Sequence, residues 1–289
     1  MPLLALLIGC LACSTSVIWI KLSNVEPVLL TGLRLAIATI ALAPFAWRDW
    51  RQHRERLDWS HVRDVVLPGV VLAVHFMTWI YGARLTYAAN GSLIVNLTPL
   101  ATPFLLAALS GEWLTGREVL ATAVASGGLA ILFVADYQLS PETLFGDLVC
   151  FVGMLLVAIY LVLGRRFRHH PTTLLYVTPV YAIAALIALA VAPFTATDES
   201  LDWGSEWFPV VMLALLPTIV GHSLLNQAMR RMRGQVVSIV NMSQFIFAGA
   251  MAWRIFDEQP EPVFYVAAAL VVTAGVLVTT PGKRKLESP

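Results

Sequence analysis

Two pairs of polar side chains occur at one-turn spacing inside otherwise apolar stretches of this chain. His75 and Trp79 are four residues apart and would share one face of a helix, as would His222 and Asn226. A hydrogen-bonding ring beside a flat indole suits an organic zwitterion or an aromatic side chain. Alternatively, His75 bonds a neighbouring helix carbonyl and Trp79 lies at the lipid interface. Polar pairs in apolar surroundings need a cavity or partners, which favours a cavity-facing role for His222 and Asn226.

Arg34 also lies in an apolar stretch. Its guanidinium could anchor a substrate carboxylate through a two-pronged fork. A structural tie is favoured, because the residue lies only about 10 Å from the expected helix end and could reach outward. Serine and threonine often bond their own helix, so we expect a structural role for Ser14, Thr15 and Ser16. Further polar or aromatic cavity candidates are Trp19, Ser92, Asn96, Tyr160, Asn241 and Gln244.

These residues lie within ten apolar stretches, each about as long as a membrane-crossing helix needs to be. Hydrophobic residues make up 58% of the 289-residue chain and charged residues 13%, with a net charge of +1. We therefore predict an all-α membrane protein with ten transmembrane helices in a lipid bilayer. The basic surface outside the short loops is too small to indicate nucleic acid binding. The predicted spans are 2–20, 27–47, 65–84, 88–109, 118–135, 147–163, 173–194, 209–229, 235–254 and 262–280.

The distribution of basic residues predicts the orientation. With the N-terminus inside, 15 of the 19 Lys and Arg residues fall in inner loops or the C-terminal tail. By the positive-inside rule this pattern predicts a multi-pass protein of the bacterial inner (plasma) membrane with both termini in the cytoplasm. The three cysteines fall inside predicted spans, so we expect no disulfides.

An internal repeat divides the chain into residues 1–144 and 145–289. The triplet Ile-Val-Asn that ends at Asn96 recurs at Asn241, 145 residues later. Each half holds five predicted spans, and an odd number forces the second half to insert upside down. Inverted repeats are common among secondary transporters, whose substrate site lies between the repeats near the midplane.

Several short motifs, in order, resemble the EamA branch of the drug/metabolite transporter superfamily. They are His-Phe-Met-Thr-Trp at 75–79, Leu-Thr-Tyr-Ala-Ala at 85–89, Pro99, Glu112 and Gly-His-Ser-Leu-Leu-Asn at 221–226. The resemblance implies a carrier of small metabolites, often an exporter of amino acids. It also implies a cavity lined by the third, fourth, eighth and ninth helices and parts of the first and sixth. Relatives usually have Glu-Pro where this chain has Ser243 and Gln244, so we expect both a buried carboxylate and a helix break to be lost.

The absence of acidic residues from the middle of every predicted span bears on the substrate. A proton-coupled pump for lipophilic cations would need such a carboxylate, so a neutral or zwitterionic substrate fits better. Protons could move through His75 or His222, or export could be facilitated diffusion. Multidrug or cation efflux and a lipid flippase remain alternatives; an intramembrane enzyme has little support, because catalytic motifs are missing. We expect no cofactor. The small-residue faces at 126–128 and 267–269 predict close helix packing or a homodimer seam.

Overall fold

A computed structural model of the chain describes residues 2–136, 141–195, 203–257 and 259–280, and all regular structure in these ranges is helical. A 3-10 turn, Arg54–Arg56, follows α3, and a π-helical segment, Ala214–His222, joins α11 to α12. The α-helices are α1 Pro2–Ser14, α2 Ser16–Leu22, α3 Pro27–His53, α4 Trp59–Asp64, α5 Val66–Leu85, α6 Ala88–Val95, α7 Thr98–Ser110, α8 Gly116–Asp136, α9 Pro141–Arg166, α10 Thr173–Thr195, α11 Trp203–Leu213, α12 Ser223–Arg231, α13 Gly234–Asn241, α14 Gln244–Phe256 and α15 Pro262–Thr279.

Nine helical stretches of the described chain are long and apolar enough to cross a membrane. They coincide with nine of the ten predicted spans and include at least part of every helix except α8, which corresponds to the fifth predicted span. The prediction of an all-helical membrane protein is therefore confirmed. The nine stretches are Pro2–Leu22, Pro27–Arg56, Trp59–Leu85, Gly91–Ser110, Thr143–Arg166, Thr173–Thr195, Trp203–Arg231, Gly234–Phe256 and Pro262–Thr279.

The fourth span is broken near its middle, just before Pro99. Helix α6 ends at Val95 and α7 begins at Thr98. Pro99 has no backbone N–H to continue an α-helical ladder. The amide of Leu97 instead donates to the carbonyl of Ile94, three residues back, at 3.0 Å. This tighter 3-10 spacing marks the break between α6 and α7.

The ninth span is also broken, and the expectation that it would run uninterrupted without a proline is wrong. Helix α13 ends at Asn241 and α14 begins at Gln244. The amide of Ser243 donates to the carbonyl of Val240 at 3.0 Å, again three residues back. The Gln244 side-chain amide donates to Oδ1 of Asn241 across the break. Polar side chains thus stabilise a break in this helix, although we expected such a break to require a proline.

Helices from distant parts of the chain pack against one another in a regular pattern. The most extensive contacts join α3 to α10, α5 to α9 and α8 to α15. Helix α1 packs against the π-helical segment and α12, while α6 and α7 contact α14 and α13. At Gly128 an added Cβ would lie 3.1 Å from the carbonyl oxygen of Ala267. The small residues of α8 and α15 therefore serve close packing within the chain at this point.

Candidate functional site

A small cavity lies where the first, fourth and ninth spans are broken. Its volume is about 50 Å³, which is room for one or two water molecules. Pockets that hold small ligands measure about 300–1,000 Å³, so a substrate would require the helices to move apart. The first, third, fourth, sixth, eighth and ninth spans line it, the same helices that the family resemblance implies. The lining residues are Cys13, Ser16, His75, Phe76, Trp79, Val95, Asn96, Val157, Leu161, His222, Leu225, Asn241 and Gln244.

The two histidines of the cavity lie close together but are held differently. Nδ1 of His75 is 2.8 Å from the carbonyl oxygen of Gly153 on α9. A carbonyl can only accept, so Nδ1 carries the proton and Nε2 is left as an acceptor. The ring of His222 lies 6.3 Å from that of His75, and its buried Nδ1 has no hydrogen-bond partner among the described residues. His222 therefore offers a polar atom that only water or a ligand could satisfy.

The other predicted lining residues bond locally. Trp79 is 5% exposed, and its indole N–H lies 3.4 Å from Oγ of Ser16. The side-chain amide of Asn96 donates to the carbonyl of Ser92 at 2.7 Å. Gln244 and Asn241 bond each other across the break in the ninth span. Burial of Trp79 against Ser16 argues against the lipid-interface interpretation of this tryptophan.

Arg34 is completely buried behind the cavity wall. Its Nε and Nη2 donate to Oγ1 of Thr218 at 3.0 and 2.8 Å, and its guanidinium carbon lies 4.0 Å from the ring centroid of Phe76. Its Nη1 has no hydrogen-bond partner in the described structure. The contacts with Thr218 agree with the structural tie, while the contact with Phe76 places a positive charge one ring away from the cavity.

Four further candidates lie outside the cavity lining. Asn226 is fully buried and donates to the hydroxyl of Tyr160 at 2.6 Å and to the carbonyl of His222 at 2.8 Å. Tyr160 and Asn226 thus support the His222 ring from behind. Trp19 packs edge-on against Phe208 at 5.6 Å, and Ser92 accepts the bond from the Asn96 amide.

Sequence reasoning missed several lining residues. Ser16 was expected to be structural, and Cys13 and Phe76 were not proposed at all. The position of Phe76 next to His75 gives no periodic signal, because adjacent helical residues do not share a face. Apolar lining residues look like any membrane-helix side chain in the sequence; they are Val95, Val157, Leu161 and Leu225.

A network of charged residues closes one end of the helix bundle. Glu112 pairs with Arg165 at 2.8 Å and accepts from the backbone amide of Gly234 at 2.9 Å. Arg233 donates to Glu118 at 2.8 Å. We call these residues the Glu112 network. They join the region between the fourth and fifth spans to the sixth span and to the loop between the eighth and ninth.

A second network closes the opposite end. Glu206 accepts from the hydroxyl of Ser23 at 2.8 Å and from the side-chain amide of Asn24 at 2.9 Å. Arg84 donates to the carbonyl of Ser23 at 2.7 Å. We call these four residues the Glu206 network. It joins the loop after the first span to the third and eighth spans, so polar contacts lie at both ends of the bundle with the cavity between them.

Comparisons with known proteins agree with this architecture. Residues 1–134 and 144–280 match the EamA-like transporter family. The uncharacterized transporter YyaM of Bacillus subtilis (strain 168) is 28% identical over 208 residues, which are 69% of this chain and 66% of that protein, just under two thirds of its length. An uncharacterized transporter of Archaeoglobus fulgidus is 25% identical over 96% of both chains. The aromatic amino acid exporter YddG of Ancylobacter novellus is 25% identical over 75% of both.

A solved crystal structure shares the fold, with a TM-score of 0.78 over 96% of each chain at 21% identity. The family match covers nearly all of the chain in two segments. Together with the apolar helices, it shows that this chain is a multi-pass membrane protein that belongs to the EamA-like transporter family.

Proposed function

We propose that this protein exports small zwitterionic or aromatic metabolites, such as amino acids, across the bacterial inner membrane by alternating access. The observation that carries the proposal is the central cavity. Its lining combines two histidines, a tryptophan and three side-chain amides, and contains no carboxylate. Such a lining can bond both ends of a zwitterion but offers no counter-charge to a permanent cation.

Ten crossings arranged as two inverted five-helix repeats form the second part of the proposal. The packing pattern supports it. A two-fold axis that exchanges spans one to five with spans six to ten would exchange α3 with α10, the second and seventh spans. It would also exchange α8 with α15, the fifth and tenth spans, so each of these two contacts is symmetric about the axis. The same axis maps the contact of α5 with α9 onto that of the eighth span with α1. Breaks at Asn96 and at Met242, beside the recurring Ile-Val-Asn triplets, follow the same symmetry. The Lys and Arg distribution supports an orientation with both termini in the cytoplasm.

The two networks support the alternating-access part of the proposal. Each one joins residues of the first half to residues of the second: Glu112 to Arg165 at one end, and Ser23 to Glu206 at the other. Rocking the halves apart at one end would break one network while the other stays intact. In the proposed orientation, the Glu112 network closes the cytoplasmic side and the Glu206 network the outer side.

The chemistry of the wall supports substrates with a carboxylate and an aromatic or apolar group. Phe76 and Trp79 provide flat apolar surfaces, and Arg34 supplies positive potential behind Phe76. The relative from Ancylobacter novellus, named as an aromatic amino acid exporter, supports this class, although its identity with this chain is 25%. Proton coupling through His75 or His222 and facilitated export both fit the cavity.

Ligand binding by the purified protein tests the substrate class. A ligand that binds the folded state raises the melting temperature according to its concentration and affinity. We expect aromatic amino acids to raise the melting temperature saturably, and the shift to vanish in His222→Ala. Saturable binding of a quaternary ammonium dye, unaffected by substitution of His75 or His222, would instead favour the cation-efflux alternative.

A further inference from the structure

Three histidines and an aspartate meet outside the cavity, at the end of the bundle that carries the Glu112 network. His61 and Asp64 lie on α4, while His169 and His170 lie in the turn between α9 and α10. The three imidazole rings are nearly equidistant, with centroid separations of 5.1 Å for His61–His169, 4.9 Å for His61–His170 and 5.2 Å for His169–His170. We call these four residues the His-Asp cluster.

The ligand atoms of the cluster are close to one another. One atom each from Asp64, His169 and His170 lies within 4.8 Å of the other two. Oδ2 of Asp64 and Nε2 of His169 are 3.1 Å apart. Tetrahedral Zn²⁺ holds its ligands at about 2.0–2.1 Å and therefore about 3.4 Å from one another. Two imidazoles on one such ion have centroids about 5.2 Å apart. The spacing of the three rings is close to this geometry, and the ligand atoms of Asp64, His169 and His170 need to close by about 1.4 Å at most.

The His170 side chain is buried, and its polar atoms are unbonded in the described structure. Only 2% of the residue is exposed, and neither ring nitrogen has a hydrogen bond. A neutral imidazole keeps a lone pair on one ring nitrogen that a metal ion can take. A buried imidazole with both nitrogens unbonded is costly unless something satisfies it.

The surroundings of the cluster also suit a cation. Nδ1 of His61 lies 2.8 Å from Oδ1 of Asp58, a carboxylate–histidine contact of the kind that orients metal ligands. An adjacent cavity of about 770 Å³ is lined by both His61 and His170 and provides access. Arg230 donates to the backbone carbonyl of His170, and its positive charge so close to the cluster disfavours a bound cation. The carboxylates of Asp58 and Asp64 offset that charge.

We propose that the His-Asp cluster is a binding site for a divalent transition metal of the Zn²⁺ type, with Asp64, His169 and His170 as ligands and the adjacent His61 ring at the fourth position. Imidazole and carboxylate are the side chains that Zn²⁺ takes in sites without cysteine. The ion would tie α4 to the turn between α9 and α10, two segments that are far apart in the sequence. The site is separate from the cavity and does not depend on the identity of the exported substrate.

Calorimetric titration with Zn²⁺ tests this site in the full-length protein, purified in detergent, freed of metal and carrying no histidine tag. We expect one Zn²⁺ per chain and a rise in melting temperature on binding. His169→Gln is the main variant, because this side chain is 48% exposed and its replacement leaves the core intact. It should weaken binding at least tenfold, as should Asp64→Asn. His53→Ala serves as the matched control, since His53 bonds the carbonyl of Asp49 outside the cluster.

The competing explanation is edge-to-face packing of neutral imidazoles without a metal. It predicts no stoichiometric binding at micromolar Zn²⁺, and that result would overturn the proposal. Binding of equal affinity in the parent, His169→Gln and Asp64→Asn would overturn it as well. A loss of affinity in His53→Ala equal to that in His169→Gln would indicate scattered surface histidines and contradict a built site.

Discussion

At the scale of single residues, the two histidines of the cavity differ in their hydrogen bonding. His75 is fixed by Gly153, whereas His222 has a buried nitrogen without a partner in the described chain. No salt bridge joins Arg34 to any carboxylate of the described residues, and its guanidinium lies over the ring of Phe76, which lines the cavity. The positive potential of the wall is therefore uncompensated, which favours substrates that carry a carboxylate.

Replacing Gln244 by glutamate tests the charge of the cavity. Gln244 lines the cavity and bonds Asn241. A glutamate there would be neutral at low pH and anionic at high pH, and the anion would repel a substrate carboxylate. Transport by Gln244→Glu should therefore fall as pH rises, measured as initial uptake rates into vesicles over a pH series. Gln244→Met is the control without a titratable group. If the pH profiles of both variants match that of the parent, position 244 does not face the transport path.

At the scale of helices, the cavity exists because three spans are broken and α1 approaches the π-helical segment closely. An added Cβ at Gly221 would lie 3.0 Å from the backbone nitrogen of Cys13 and 3.2 Å from its Cα. These are backbone atoms that cannot rotate away. Glycine at 221 thus permits the contact that brings Cys13 and His222 to the same cavity.

Gly221→Ala should therefore destabilise the protein, because overpacking a close contact costs about 1–3 kcal/mol. Gly127 on α8 provides the matched control, since an added Cβ there meets nothing within 4 Å. Gly127→Ala should be neutral or stabilise the helix by about 0.5–1 kcal/mol. Melting temperatures in detergent, measured side by side, check both expectations. Equal stability of Gly221→Ala and Gly127→Ala would mean that α1 is not packed against position 221 in this way.

At the scale of the whole molecule, the Glu112 and Glu206 networks hold a cavity too small for an amino acid between two closed ends. Hydrogen bonds to charged groups contribute about 1.5–3 kcal/mol each. Loss of one network should therefore shift the balance between closed and open states by tenfold or more. In the proposed alternating-access cycle, the protein passes through states in which one network is intact and the other is broken.

Cys13 provides a native reporter of this opening, because it lines the cavity and is 6% exposed. Arg165→Ala should raise the rate of Cys13 alkylation by a charged maleimide about tenfold in inside-out vesicles. Glu206→Gln should do so only in right-side-out vesicles. Cys13→Ser identifies the labelled residue. A rise from the same side in both variants would contradict gates at opposite ends.

Composition and sequence pattern predicted the helical membrane fold. Six of the predicted cavity candidates line the cavity, namely the polar residues at positions 75, 79, 96, 222, 241 and 244. Tertiary contacts decided the rest. Tyr160 and Asn226 bond each other behind the cavity wall instead of lining the cavity. The sequence shows which residues share a helical face, but it does not show which neighbouring helix covers that face. The break at Ser243 was missed, because polar side chains can hold a break that sequence patterns associate with proline. The Ser16 hydroxyl was expected to bond the backbone of its own helix, but in the fold it lies beside the indole N–H of Trp79.

Counterflow in proteoliposomes tests the central claim most directly. Vesicles that contain the purified protein are loaded with an unlabelled aromatic amino acid and diluted into the labelled compound. The account predicts transient accumulation of label, reduced at least tenfold in His222→Ala and unchanged in His53→Ala, whose side chain lies at the end of α3 away from the cavity. Accumulation of a quaternary ammonium cation with no accumulation of any amino acid, or full activity in His222→Ala, would contradict it.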